Sequence, residues 1–221
     1  MHVILNKEVQ QLERKKNISM AVIKRLPKYQ RYLKELLKND IDRISSKDLS
    51  EKIGFTASQI RQDLNCFGDF GQQGYGYNVK DLYGEICNIL GLTRKYNTII
   101  VGAGNIGQAI ANYTNFQKMN FNLVGIFDTN PKLCGLKIND IEIKDIDFLD
   151  DFLKSSDVNI AIICVPSKSA QSICDLVVKN GIKGIWNFAP IDLIIPEGIV
   201  VENVHLSESL LTLSCLMNEI T

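Results

Sequence analysis

The stretch NTIIVGAGNIGQAIANY, residues 97–113, predicts a β-strand, a glycine-rich turn and a helix in succession. The apolar run Thr98–Val101 is the strand, and the spacing of Ile106, Ile110 and Tyr113 is helical. The turn between them matches G-x-G-x-x-G, which in this strand–turn–helix setting is typical of a dinucleotide-binding unit. The six positions of the motif, all candidate cofactor contacts, are Gly102, Ala103, Gly104, Asn105, Ile106 and Gly107.

The three glycines of the motif have different tasks. Gly102 makes the tight turn, Gly104 allows a pyrophosphate to approach the backbone, and Gly107 allows the helix to pack on the strand. The helix N-terminus offers amide donors and positive potential to the phosphates. The next strand, FNLVGIFD, ends at Asp128, 21 residues beyond Gly107. A carboxylate there accepts from the adenosine ribose and repels a 2′-phosphate, which favours NAD⁺ and NADH over the phosphorylated cofactors.

Further apolar runs follow at the spacing of an α/β fold. VNIAIICVP (158–166) and GIKGIWNF (181–188) predict buried parallel strands, with a helix over Ser167–Asn180 between them. Residues just past the strand ends line the ligand crevice of such a sheet. For the two prolines, simple termination of a strand is an equally good explanation. The residues nominated for the nicotinamide side are Val165, Pro166, Asn187, Phe188, Ala189 and Pro190.

The formal net charge of zero hides an asymmetry along the chain. Residues 1–95 hold 17 lysines and arginines against 11 acidic residues, and the remainder holds 8 against 14. Two solvated surfaces of different composition would explain this pattern. So would a basic module that meets a polyanion, joined to an acidic module that does not.

The basic half begins with a predicted helix over LPKYQRYLKELLKN, with Pro27 in its first turn. Its apolar stripe is Tyr29, Tyr32, Leu33, Leu36 and Leu37. A second helix starts after Ser45 and ends at Gly54. A third, TASQIRQDLNCF, starts at Thr56 with Gln59 at the capping-box position.

Two short helices joined by a glycine-containing turn predict either a helix-turn-helix or an ordinary αα-hairpin with a polar face. The segment FGDFGQQGYGYNV, which alternates glycines with aromatic residues, predicts a hairpin directly afterwards. That hairpin would be the wing of a winged helix, and together with the basic charge it favours DNA binding. The candidate DNA contacts are Arg25, Lys28, Arg31, Lys47, Ser58, Gln59, Arg61, Gln62, Gln73, Tyr75 and Tyr77.

The cysteines and the ends of the chain indicate its surroundings. Six cysteines show no C-x-x-C pair and no histidine at ligand spacing, so we expect reduced thiols, mostly in the core, and no metal site. No membrane span or signal peptide is evident, which predicts a cytoplasmic protein.

The last residues, SESLLTLSCLMNEIT, predict a helix that is apolar around most of its circumference. Such a helix packs either on its own domain or on a partner subunit.

With its motifs in this order, the chain resembles the redox-sensing transcriptional repressor family called Rex. The resemblance covers residues 20–218 and rests on KRLPKYQRYL, SQIRQDLNCFGDFGQQGYGYNV, VGAGNIG, VPSKSAQS and GIKGIWNFAP…P…NVHLSESL. It implies a homodimer with N-terminal winged helices and C-terminal Rossmann domains, in which the last helix is exchanged between subunits. It also implies binding to palindromic operators of fermentation and respiration genes, and release by NADH. The expected domains are an extension over 1–19, a DNA-binding domain over 20–90, an NAD(H)-binding domain over 94–204 and the exchanged helix over 205–221.

The chain departs from the family pattern at three positions. Gln73 stands where many relatives have arginine, Gln62 where lysine is common, and His205 where an acid is usual. In the family that acid forms a state-dependent cluster, which here would join His205 to Arg31 and Tyr113. An imidazole can accept from Tyr113, but it cannot form a bidentate pair with Arg31.

The competing class is an NAD-dependent dehydrogenase. The chain contains two histidines, His2 and His205, and neither lies near an obvious active-site motif. About 17 residues follow the predicted Rossmann strands, too few for a substrate domain. A coenzyme-A-binding module of similar fold is disfavoured by Asp128 at the ribose position. The resemblance to the Rex family implies that the nicotinamide is a signal rather than a substrate, so that no catalytic residue is needed.

Overall fold

The computed structural model describes residues 18–68, 70–72 and 75–220. The expected N-terminal extension up to residue 17 and the candidate wing contact Gln73 lie outside these described residues. The chain divides into two compact units, Met1–Thr93 and Arg94–Thr221. Within the described ranges, no helix is long and apolar enough to cross a bilayer.

The first unit is a winged helix-turn-helix. Its strands form an antiparallel sheet in the order β1-β3-β2, and the β2–β3 hairpin is the predicted wing. The elements are α1 (Met20–Lys38), β1 (Arg43–Ile44), α2 (Ser46–Ile53), α3 (Ala57–Asn65), β2 (Gly71–Gln72), β3 (Gly76–Asn78) and α4 (Val79–Ile89).

Helix α1 begins earlier than the sequence pattern predicts. Ser19 is its N-cap, and Pro27 therefore lies inside the helix rather than in its first turn. A proline there removes one helical hydrogen bond. The helix nevertheless continues through it, since Val22 and Leu26 on the early turns are buried together with Tyr29, Leu33 and Leu36 of the predicted stripe. The other two residues of the stripe, Tyr32 and Leu37, are partly buried.

Helices α2 and α3 are bounded by caps that the sequence predicts. The Ser45 hydroxyl accepts from the Asp48 amide at 3.0 Å, and the Thr56 hydroxyl accepts from the Gln59 amide at 3.1 Å. Gly54 ends α2 in the left-handed conformation, with φ of 72°. The capping box at Gln59 is not completed, because its side-chain amide donates to Asp63 instead.

The second unit is a doubly wound α/β sheet. Its strand order is β10-β9-β8-β4-β5-β7-β6, and every neighbouring pair is parallel except β6 with β7. The order reverses direction between β4 and β8, which is the position where such sheets bind dinucleotides. The elements are β4 (Tyr96–Val101), α5 (Asn105–Ala111), α6 (Asn115–Lys118), β5 (Phe121–Asp128), β6 (Lys137–Ile138), β7 (Ile141–Asp145), a 3₁₀ turn (Ile146–Phe148), α7 (Leu149–Ser155), β8 (Ile160–Ile163), α8 (Ser167–Lys179), β9 (Gly184–Asn187), β10 (Val200–Asn203) and α9 (Leu206–Asn218).

Side chains alternate between the two faces of this sheet. Ile99, Val101 and Ile163 belong to the core on one face, whereas Ile100 and Ile162 belong to the core on the other. This alternation follows from the period of two along a strand. Of the six cysteines, Cys174 is buried, four are half-buried and Cys215 is exposed, so fewer are core residues than the sequence predicts.

The terminal helix α9 does not pack on its own unit. Among the described residues, none in α9 is buried. Its large apolar side chains are each more than half exposed: Leu206, Leu210, Leu211, Leu213, Leu216 and Met217. Of the two alternatives that the sequence leaves open, the structure therefore disfavours packing within the chain.

Candidate dinucleotide and DNA sites

The glycine-rich turn is held tightly between β4 and β8. A Cβ atom on Gly102, whose φ is 100°, would lie 2.5 Å from the Cys164 carbonyl oxygen and 3.1 Å from Val165. A Cβ atom on Gly107 would lie 1.9 Å from the Gly102 carbonyl oxygen. Both positions therefore require glycine, for the turn and for the approach of α5 to β4, as the motif predicts.

Gly104 differs from the other two glycines of the motif. No heavy atom of the described residues lies within 4 Å of a Cβ placed there, and its φ of −72° is an ordinary one. The residue is exposed and is the N-cap of α5. Neither strain nor packing within the chain explains glycine here. The open space above its backbone fits the approach of a dinucleotide pyrophosphate to the first amides of α5.

Asp128 lies at the end of β5, beside the glycine-rich turn. One carboxylate oxygen accepts from the Ala103 amide at 2.6 Å, and the other accepts from the Asn130 amide at 2.7 Å. Each oxygen keeps a further lone pair, and the side chain is half-buried. The carboxylate is thus fixed at the edge of the crevice, where it can accept from ribose hydroxyls.

The other crevice residues do not all face the site. Val165 is half-buried beside Gly102, and Pro166 is the exposed N-cap of α8. Phe188 is half-buried, with its ring centroid 4.7 Å from that of Trp186, and Pro190 is exposed.

Asn187 and Ala189, which the sequence places at the crevice, have buried side chains. The Asn187 amide donates to the Ile191 carbonyl at 2.8 Å and to Asn203 at 2.9 Å. Its oxygen accepts from the Ala189 amide at 3.0 Å. The side chain ties β9 to β10 and to the following turn, because a buried amide must find such partners.

In the first unit, α3 turns a polar face outward. Ser58, Arg61 and Gln62 are exposed, and Gln59 is half-buried. Arg61 donates to the Ser46 hydroxyl at 2.9 Å. This bond places the Arg61 guanidinium beside the first turn of α2, where Lys47 is exposed. These donors and acceptors suit base edges and phosphates.

The wing carries one exposed aromatic residue and one buried one. Tyr75 is 70% exposed, and the Arg43 guanidinium lies 5.9 Å from its ring centroid. Tyr77 is 6% exposed and packs in the core, so its assignment as a DNA contact is corrected. The strand alternation of β3 turns Tyr77 inward. Arg43, a cation beside the wing, is a candidate contact that the sequence reasoning missed.

A buried ion pair joins α1 to α3, and the sequence reasoning missed it too. Asp63 is fully buried and accepts from Arg25 at 2.6 and 2.7 Å and from the Tyr29 hydroxyl at 2.8 Å. Burial raises the pKa of Asp63, but the hydrogen bonds from Arg25, Tyr29 and Gln59 outweigh it and lower that pKa. Burial, helped by the bond to Asp63, raises the pKa of Tyr29. One sequence signal could have revealed this ion pair: the acidic residue Asp63 lies in the apolar stripe of α3, together with Ile60 and Leu64.

The remaining candidate contacts lie along α1. Lys28 is half-buried, with its ammonium 4.8 Å from the Phe55 ring centroid, and Arg31 is exposed over Tyr32. Of the proposed coupling residues in the second unit, Tyr113 is half exposed and lies just beyond the end of α5 rather than within it.

The other coupling residue of that unit, His205, is the N-cap of α9. Its Nδ1 lies 2.8 Å from a Glu208 carboxylate oxygen, and this hydrogen bond raises the pKa of His205. Its Nε2 is buried and has no partner among the described residues. Those residues also contain no cluster of acids, histidines and cysteines that could hold a metal ion.

An apolar groove lies on the sheet face that contains Ile100 and Ile162, away from the glycine-rich turn. Its volume is about 590 Å³. The lining includes Ile110 and Phe116 on α5 and α6, and Trp186 and Val200 on β9 and β10. An open apolar groove on a sheet face calls for a covering element.

Comparisons with known families divide the chain in the same way. A family model described as "Putative DNA-binding protein N-terminus" matches residues 17–65, and one described as "CoA binding domain" matches residues 93–191. The "Redox-sensing transcriptional repressor Rex" of Clostridium acetobutylicum is 74% identical over 209 residues, 95% of this chain and 98% of that protein. The protein of the same name from Clostridium kluyveri is 69% identical over 95% of this chain and all of that protein.

Solved structures agree with these relatives. The crystal structure of RSP in complex with β-NAD⁺ and operator DNA matches with a TM-score of 0.87 and 62% identity, over 91% of this chain and 93% of that chain. RSP in complex with β-NADH matches with a TM-score of 0.84 and 59% identity, over 92% and 95%. RSP itself is described as a Rex-family repressor. Since these likenesses span both units at high identity, the chain belongs to the Rex family of redox-sensing transcriptional repressors.

Proposed function

We propose that this protein is a transcriptional repressor that binds a palindromic operator and releases it when NADH binds. One observation carries the proposal: a winged helix with an exposed polar face shares the chain with a dinucleotide crevice in which Asp128 is fixed beside the glycine-rich turn. The family relatives support it, since an RSP structure of 62% identity contains both β-NAD⁺ and operator DNA. Such a protein works where the chromosome is, in the cytoplasm.

In this proposal, residues 20–90 are the DNA-binding domain. Its contacts are the exposed α3 residues Ser58, Arg61 and Gln62, with Gln59 beside them, and Lys47 acts as a phosphate contact. The remaining proposed contacts are Lys28, Arg31, Arg43, Gln73 and Tyr75.

Residues 94–204 are the NAD(H)-binding domain. The open space over Gly104 receives the pyrophosphate, and Asp128 accepts from the adenosine ribose. The same carboxylate disfavours coenzyme A, whose ribose carries a phosphate, although one matching family model has that name. NADH acts as an effector and not as a hydride donor, so the protein is not an enzyme.

Residues 205–221 carry the dimer contact. The apolar side chains of α9 are unburied within the described chain, and the groove beside Trp186 is open and apolar. We propose that α9 of one subunit fills this groove on the other, which would remove both apolar surfaces from water. Arg31, Tyr113 and His205 remain the proposed coupling residues, and the free Nε2 of His205 can accept from a tyrosine hydroxyl.

A mobility-shift assay tests the repressor function. Native protein should retard a duplex that it selects from a random-sequence library, and NADH should restore the free duplex. Binding to no duplex sequence in preference to another, or retention of the complex at saturating NADH, would contradict the proposal.

Sedimentation tests the dimer contact. Leu210→Asp, on the exposed face of α9, should convert a dimer to a monomer, because a buried charge would oppose association. The matched control is Ile194→Asp, which changes a side chain that is 81% exposed and lies outside both α9 and the groove lining. A monomeric native protein, or equal effects of the two substitutions, would refute the exchange of α9.

A further inference from the structure

The Asp63 carboxylate accepts more hydrogen bonds from side chains than a buried residue needs to stabilise the fold. It is fully buried on α3 and accepts from Arg25, through Nε and Nη2, and from the Tyr29 hydroxyl. Replacing a buried ion pair by apolar side chains of similar volume is often neutral or stabilising. The retention of an ionised carboxylate at this position therefore suggests a role other than holding the fold together.

A further hydrogen bond to Asp63 comes from the DNA-facing side of the helix. Nε2 of Gln59, one turn earlier on α3, donates to Asp63 Oδ1 at 3.3 Å. An ionised carboxylate can only accept, so this contact requires the NH₂ end of the Gln59 amide to face Asp63. The carbonyl oxygen Oε1 is then the end that faces away from the carboxylate. The lowered pKa of Asp63 is consistent with a carboxylate that stays ionised.

We propose that Asp63 is a positioning residue for DNA recognition, which orients the Gln59 amide so that its Oε1 accepts from a base amino group in the major groove. Adenine N6 and cytosine N4 are the amino donors displayed there. Gln59 would thus distinguish a base pair from its inversion, because only one strand turns the amino group toward it. The inference rests on the proposed function, since α3 must lie in a major groove.

The test begins with base preferences of the full-length protein. Native protein and each variant select duplexes from the same random-sequence library, and the base frequencies at each position are compared. Gln59→Ala identifies the position that Gln59 reads, as the one where preference is lost. Asp63→Asn, whose amide can donate as well as accept, should reduce the preference at that position from at least about tenfold to about twofold or less. Preferences at the other positions should persist.

A second variant separates positioning from folding. Arg25→Met/Tyr29→Phe/Asp63→Leu replaces the whole polar cluster with apolar side chains, so it should melt near the native temperature and still lack the preference. The control Asp150→Asn breaks the partly exposed Asp150–Lys154 ion pair of the second unit, and this variant should select the same duplex sequence as the native protein.

The outcomes are distinct. Native preference retained in Asp63→Asn, or in a folded apolar triple variant, would overturn the positioning role while the proposed function stands. If Asp63→Asn does not fold, the triple variant decides. A native protein that enriches no sequence would instead overturn the proposed function, and the inference with it.

Discussion

The substitution Gly104→Ala should separate cofactor binding from stability. The structure shows no described heavy atom within 4 Å of the added methyl group and a φ of −72°, so the folded chain can accept it. Alanine is a poorer N-cap than glycine, which costs ~1 kcal/mol. It also restricts the unfolded chain, which contributes ~0.4–1 kcal/mol in the other direction. We therefore expect the stability to change by less than ~1 kcal/mol.

The effect on NADH should be much larger. The methyl group would occupy the space through which, in the proposed site, the pyrophosphate approaches the first amides of α5. Losing one hydrogen bond to a charged phosphate costs about 1.5–3 kcal/mol. The affinity for NADH should then fall roughly 10- to 150-fold, which a calorimetric titration would measure alongside a thermal melt.

Two glycine variants provide the comparison. Gly84→Ala, at an exposed position of α4 with no described heavy atom within 4 Å, should leave NADH affinity unchanged. Gly107→Ala should disrupt the fold, because its Cβ would lie 1.9 Å from the Gly102 carbonyl oxygen. Native NADH affinity in a folded Gly104→Ala protein would refute the placement of the pyrophosphate.

Three further predictions follow from the two sites. Asp128→Ala should weaken NADH binding by roughly 1–3 kcal/mol, because the ribose hydroxyls lose their acceptor, and should thereby lower the ratio of NADH to NADPH affinity in paired titrations; a native protein that binds both cofactors equally would contradict the assignment. Arg61→Ala should lower the ratio of operator to random-duplex affinity, whereas Lys47→Ala should weaken both alike and reduce the salt dependence by about one unit; an unchanged ratio in Arg61→Ala would mean that α3 is not the reading helix. The hydrogen bond with Glu208 raises the pKa of His205. The protonated imidazole should therefore stabilise the fold fully below about pH 6.5, and this stabilisation should be lost as the pH rises through the pKa of the folded state. The melting temperature should therefore fall more on going from about pH 6 to about pH 8 in native protein than in Glu208→Gln, and parallel curves would show that the pair does not contribute.

The elements governed by local rules could be predicted from the sequence. The caps at Ser45 and Thr56 and the left-handed Gly54 depend on neighbouring residues alone. The placement of Asp128 beside the glycine-rich turn could be predicted because the spacing of the motif is fixed by a single strand–turn–helix–strand unit. The short hairpin between β6 and β7 was missed although Asn139-Asp140, both with positive φ, is a recognisable turn.

The contacts of Arg25 and Asn187 could not be predicted because their partners are distant in sequence. From the sequence, Arg25 was expected to be a surface cation that contacts DNA. In the structure it binds Asp63, which is 38 residues away along the chain. Asn187 lies at the end of a strand and was therefore predicted to be a crevice residue, but its partner Asn203 belongs to a strand that the sequence pattern did not reveal. Tertiary contacts, and not local propensity, determine whether such a polar side chain is buried and which partner it binds.

The most direct test of the account is a titration of the operator-bound protein with each form of the cofactor, followed by calorimetry of NADH with and without operator. NADH should release the duplex, and NAD⁺ should do so much less effectively. Linkage requires operator to weaken NADH binding by the factor by which NADH weakens operator binding. A shift from nearly complete binding to nearly complete release needs ~5.5 kcal/mol of differential affinity, which two cofactor sites of a dimer can share. Equal release by NAD⁺ and NADH, or an NADH affinity indifferent to operator, would contradict the redox-sensing account.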